Sequence, residues 1–150
     1  MAYADGRRRD GGGAAAPPAD LVVVAAAIIE QGRLLVVSKK SAPETFYLPG
    51  GKPEPGETAR ETVIRKLGEE LGAWPARLTL LAQFDGPAAL EHVPMRMTVF
   101  AAALDGVPRP RAELAALGWT TGADDYEPRL APSVRSQVIP FLQRTGRMPG

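Results

Sequence analysis

A chain of 150 residues and 15.9 kDa is long enough for one domain with a buried core, and its 45% hydrophobic residues can supply that core. A net charge of +1 gives no electrostatic reason to expect a nucleic-acid polymer or a membrane as partner. The absence of cysteine excludes disulfides, thiolate metal sites and cysteine nucleophiles, and is compatible with the cytoplasm.

Residues 1–19 are Gly, Ala, Pro and Arg without apolar periodicity, which predicts a disordered tail ahead of a single domain over residues 20–150. The apolar run 21–29 follows Arg7, Arg8 and Arg9, as in a signal peptide, but no cleavage site follows and the run is too short to span a bilayer. It reads as a buried strand. The turn at Glu30, Gln31 and Gly32 leads into a second apolar strand, residues 33–39, expected to pair with the first as a hairpin. A short segment, Phe46, Tyr47 and Leu48, then reaches Pro49, Gly50 and Gly51.

The next stretch, residues 51–73, organises the chain. Thr58 followed three residues later by Glu61 is a capping box and starts a helix. Val63, Leu67 and Leu71, with Ile64 beside them, form one apolar stripe, and Gly72 supplies a left-handed stop. At 100° per residue, positions 66, 69 and 70 share a face turned away from that stripe, so Glu69 and Glu70 project together. On its own such a pair is usually a solvated acidic turn. Adjacent carboxylates also repel unless a cation lies between them, and oxygen ligands with room for water and phosphate suit Mg²⁺ better than zinc or copper.

Gly51, Glu57 after five residues, and Arg65-Lys66-Leu67-Gly68-Glu69-Glu70-Leu71-Gly72-Ala73 after seven more resemble the Nudix box. The six matching Gly, Glu and Arg positions would coincide by chance at about one in a million starting points. The resemblance implies an α/β fold, an α/β/α sandwich with a mixed β-sheet. It also implies hydrolysis of a phosphoric anhydride in a nucleoside diphosphate linked to another moiety, with Mg²⁺, or alternatively Mn²⁺, as cofactor. By the same resemblance the Gly51 carbonyl, Glu69 and Glu70 are metal ligands, and Glu57 and Arg65 brace them.

Two positions depart from the box. Ala73 is smaller than the usual aliphatic residue. Lys66 replaces a carboxylate that in the family binds metal and in some members is the general base, a local change of two charge units beside Glu69 and Glu70. Three outcomes stay open: a slow hydrolase with one ion, a nucleotide-binding or sensing module that does not cleave, or a lysine peculiar to this copy of an ordinary enzyme.

Beyond the box, residues 76–84 and 95–104 read as strands joined through Asp85, Gly86, Pro87 and a longer loop holding His92, which receives no role. Residues 113–119 read as another strand. Glu113 at its start is similar to a loop acid that in the family binds metal or water, and it is carried as a catalytic candidate beside the alternative of an exposed loop acid. Residues 132–144 have a helical pattern that Pro140 should kink or weaken. Tyr47, Phe84 and Trp119 are candidates for stacking a base, and Arg33, Lys39, Lys52 and Arg96 for phosphate. The partner implied is a small nucleotide, and the resemblance is compatible with a homodimer.

Overall fold

The computed structural model describes residues 21–88, 93–123 and 129–150; the expected N-terminal tail and His92 lie outside the described residues. In chain order the strands are β1 (Leu21–Ala27), β2 (Ile29–Glu30), β3 (Arg33–Lys39), β4 (Ala42–Tyr47) and β5 (Gly50–Gly51). Helix α1 (Ala59–Leu71) precedes β6 (Trp74–Pro87), β7 (Pro94–Asp105) and β8 (Leu114–Thr120). A π-helical turn, Val134–Val138, runs into the short helix α2 (Ile139–Arg144).

The strands form two four-stranded sheets, one ordered β5-β1-β7-β6 and one in which β3 pairs with β2, β4 and β8. The first is mixed: β1 runs parallel to β7 and antiparallel to β5. This corrects the expected hairpin. Only Ile29 and Glu30 pair with β3, through a turn in which Gln31 and Gly32 both take positive φ, 53° and 75°. The rest of the apolar run is β1, a central strand covered on both sides, which is why it lacks alternation.

Alternate residues of β1 feed two cores. Ala25 and Ala27 join a cluster with Val134, Val138 and Leu142, whereas Val24 and Ala26, with Ile28 just past the strand, join Val63, Leu67 and Leu71 of α1. β3 divides likewise, with Leu34 and Val36 on the α2 side and Leu35 and Val37 on the α1 side. The β layer therefore lies between helices, as an α/β/α sandwich requires. Complete burial of Leu67 and Leu71 contributes about 1.5–3 kcal/mol each.

α1 begins and ends as its sequence predicts. Thr58 Oγ1 accepts the Glu61 N–H at 3.1 Å, and Glu61 Oε1 accepts the Thr58 N–H at 2.9 Å. Gly72 at φ 64° donates its N–H to the Gly68 carbonyl at 3.1 Å. Near the C-terminus the Ile139 N–H reaches back five residues to the Val134 carbonyl, so the helix opens into its π turn just before Pro140, which has no N–H to give. Among the described residues no helix is long and apolar enough to cross a membrane.

Candidate active site

The two glycines of β5 are crowded differently, Gly50 by backbone and Gly51 by the Lys66 side chain. A Cβ on Gly50 would collide with the Val24 carbonyl, and one on Gly51 would come within 2.6 Å of Lys66 Cε. The close approach brings the Gly50 N–H to Glu70 Oε1 at 3.1 Å, a contact the sequence reading missed although Gly50 stands beside the box glycine.

The brace at the other end of the site is dense. Arg65 Nε and Nη2 donate to Glu57 Oε2 and Oε1 at 2.7 and 2.9 Å, a two-pronged carboxylate clamp. Arg65 Nη1 lies 3.3 Å from Glu69 Oε1, and Nη2 donates to the Lys52 carbonyl at 3.1 Å. Glu57 Oε1 also accepts the Thr62 hydroxyl at 2.8 Å and the Glu54 N–H at 2.9 Å. Thr62 was missed by sequence reasoning; its signal is a hydroxyl placed one turn into α1, directly above the loop acid. The Arg65 hydrogen bond, ahead of the Glu54 N–H, holds the Glu57 carboxyl down at about 2, and Glu57 in turn raises Arg65.

Glu69 and Glu70 differ in surroundings. Glu69 is half exposed, whereas the Glu70 side chain is 2% exposed, so position 70 is tucked beside the apolar stripe rather than turned away from it. Burial pushes the Glu70 carboxyl up to about 6, against the opposing effects of Lys66 and the Gly50 N–H.

Glu113, far along the chain, is brought in by its loop. Arg111 donates its N–H to the Glu70 carbonyl at 2.8 Å, Leu114 turns back onto the Arg111 carbonyl at 3.0 Å, and Ala112 between them has φ 55°. Lys40 donates its N–H to the Glu113 carbonyl at 2.9 Å.

All three acids meet at Lys66. Its Nζ lies 3.4 Å from Glu70 Oε2, 3.6 Å from Glu69 Oε1 and 3.8 Å from Glu113 Oε2, and its side chain is 12% exposed. The oxygen-only set has the right chemistry for Mg²⁺ or Mn²⁺, but Mg²⁺ needs ligands at about 2.0–2.1 Å in octahedral array. Among the described residues no group of three or more His, Asp or Glu side chains is close enough to hold a metal ion. As they stand, the protein's own groups do not fit the ion, because an ammonium already sits among them.

The remaining candidates divide. Tyr47 and Lys39 line a mainly apolar cleft of about 100 Å³ beside Gly50 and Gly51, with Met97 and Ser133 on its walls. Phe84 packs edge-on to Phe141 at 5.6 Å, and Trp119 is half-buried against the α1-side core. Arg96 Nε pairs with Asp85 Oδ1 at 2.9 Å on neighbouring strands β7 and β6. Arg33 is exposed, in register with Glu30, and Lys52 presents its carbonyl to Arg65 while its side chain is exposed.

The NUDIX domain model matches residues 20–140. A Mycobacterium tuberculosis protein, provisionally named an 8-oxo-dGTP diphosphatase, is 33% identical over 108 residues, covering 70% of this chain and 76% of its own. An uncharacterized Nudix hydrolase of Rhodococcus erythropolis is 38% identical over 79 residues, 48% of this chain, and the match spans only 43% of that relative's length. The crystal structure of a MutT NUDIX hydrolase from Burkholderia pseudomallei superposes with a TM-score of 0.62 at 35% identity, over 73% of this chain and 88% of its own. The chain belongs to the Nudix hydrolase family.

Proposed function

We propose that this chain is a nucleotide pyrophosphohydrolase, cleaving a phosphoric anhydride in a nucleoside diphosphate linked to another moiety, at a rate held down by Lys66. The observation that carries the reading is the convergence of Glu69, Glu70 and Glu113 on one point beside Gly51, with Glu69 braced by the Glu57–Arg65 clamp. An anhydride resists water because its own charge shields it and water is a weak nucleophile. Activity is therefore expected to require Mg²⁺ or Mn²⁺; with the Lys66 ammonium displaced, the Gly51 carbonyl, Glu69 and Glu70 would hold the ion, and it would neutralise phosphate oxygens and make water more acidic.

The chain's own groups have separable tasks. Arg65 fixes the Glu69 carboxylate, the Gly50 N–H orients Glu70, and Glu113, half exposed, takes the proton of the attacking water. The water oxygen bonds to one phosphorus, the bridging P–O bond breaks, and the leaving phosphate carries away the electron pair. The cleft lined by Tyr47 and Lys39 is offered to the moiety that distinguishes one substrate from another. A cytoplasmic setting and a small-molecule partner go with this reading.

One observation favours a second reading, a nucleotide-binding or sensing module that does not cleave: the ammonium stands where the catalytic charge is needed. Incubation with Mg²⁺ and a panel of nucleoside triphosphates, oxidised dGTP, dinucleoside polyphosphates, NADH and ADP-ribose, beside Lys66→Glu, separates the two. Weak metal-dependent release in the parent and a large gain in the variant support hydrolysis. Nucleotide binding without release in either form supports the module, and equal rates in both would remove Lys66 from the site's chemistry.

A further inference from the structure

We propose that Lys66 excludes the divalent ion from the free protein and admits it only together with the phosphates of a nucleotide. The inference rests on the nucleotide reading above and adds an order of assembly to it.

Two features of Lys66 and one of its neighbour Arg65 point this way. The Lys66 stem lies along β5, so close to Gly51 that a Cβ there would meet Cε at 2.6 Å and Nζ at 3.2 Å. Its Nζ is the one cationic atom within 4 Å of all three acids among the described residues. The neighbouring cation, Arg65, is already committed to Glu57, which leaves it facing only Glu69 of the three.

An ion entering alone would have to draw the same carboxylate oxygens inward to about 2.1 Å while competing with an ammonium whose acidic partners within 4 Å, among the described residues, are those same three carboxylates. Three carboxylates and one lysine leave a formal charge of −2 at this point, enough to attract a divalent ion but not to shield it from the ammonium. Phosphates change that balance. They bring negative charge and hard oxygens that can receive both cations, and the flexible lysine stem lets Nζ turn from the carboxylates towards a phosphate oxygen. Nucleotide and ion should then each raise the other's affinity by the same factor. A carboxylate at position 66 removes the competition, so the ion would bind first and independently.

The test is calorimetry on the full chain with Mn²⁺ alone, and with α,β-methylene-ADP in the absence of Mn²⁺ and at saturating Mn²⁺. In the parent we expect free Mn²⁺ to bind at least tenfold more weakly than in Lys66→Glu, with Lys66→Gln, the closer isostere, also gaining. We expect saturating Mn²⁺ to tighten the analogue at least tenfold in the parent, and this coupling to fall in Lys66→Gln. Parent and Lys66→Gln affinities for free Mn²⁺ within threefold of each other would overturn the exclusion, whatever the nucleotide does. Failure of the analogue to bind parent or Lys66→Gln at saturating Mn²⁺ would overturn the nucleotide reading and the joint entry with it, while the free-Mn²⁺ comparison would still decide the exclusion.

Discussion

Lys66 Nζ stands 3.4 Å from Glu70 Oε2, and the Glu70 side chain it faces is almost completely buried. One turn of α1 thus carries both halves of a shielded ion pair, with the Gly50 N–H on the other carboxylate oxygen. Removing one member of such a pair leaves the other charged and poorly solvated.

Lys66→Met should therefore destabilise the fold by about 3 kcal/mol at pH 8, read as a shift in the urea midpoint. An unchanged midpoint would mean that Glu70 is solvated or paired in some other way.

Arg65→Lys keeps the charge but cannot grip both oxygens of Glu57 while also reaching Glu69 and the Lys52 carbonyl. A loss of hydrolytic rate of about 10–100-fold is expected, as for partners that orient a ligand from behind. Circular dichroism should stay native. Full activity in the lysine variant would show that the clamp does not position Glu69.

The Glu57 carboxyl titrates at about 2 in the folded chain against 4.5 ordinarily, chiefly because Arg65 hydrogen-bonds its charged form. A depressed carboxylate stabilises the fold fully above pH 4.5, and that contribution disappears as pH falls through about 2. Thermal melts from pH 6 to pH 2 should show the parent falling more steeply than Glu57→Gln. Parallel curves would contradict the shift.

Gly68→Ala is a case where propensity and packing disagree. Alanine in a helix interior is ordinarily favoured over glycine by about 1 kcal/mol. Here the Trp74 ring lies over Gly68, and a Cβ would meet its Cζ3 at 2.6 Å. The substitution should shift Trp74 fluorescence and forfeit the expected gain in melting temperature. A stabilised variant with unchanged emission would show that the ring is not seated on the helix.

Leu67→Ala removes a side chain with no exposure from the cluster between α1 and the β layer. A loss of about 2–5 kcal/mol in chemical denaturation is expected, the spread reflecting how far the cavity can relax.

The helix that carries the site was legible in the chain because its determinants are local. Thr58, Glu61 and Gly72 act within one turn of themselves, and the stripe Val63, Leu67 and Leu71 needs only the helical repeat. The spacing of Gly51, Glu57, Arg65, Glu69 and Glu70 likewise announced the family before any contact was known. Strand pairing was less legible. β1 and β3 are both apolar runs with a tight turn between them, and the choice between a hairpin and two separate sheets depends on β7, which joins β1 from about seventy residues away.

What the amino-acid order determined by itself was therefore the set of chemical groups and the element that bears most of them, since caps, periodicity and motif spacing are short-range properties. Tertiary structure alone decided the electrical state of the site. It buried Glu70 but not Glu69, folded Glu113 back against the end of α1, and so added a third acid to the two that Lys66 already meets along the helix. The helical repeat already places Lys66 beside Glu69 and Glu70, but the burial of Glu70 and the approach of Glu113 depend on segments far apart in the chain, which local spacing does not encode.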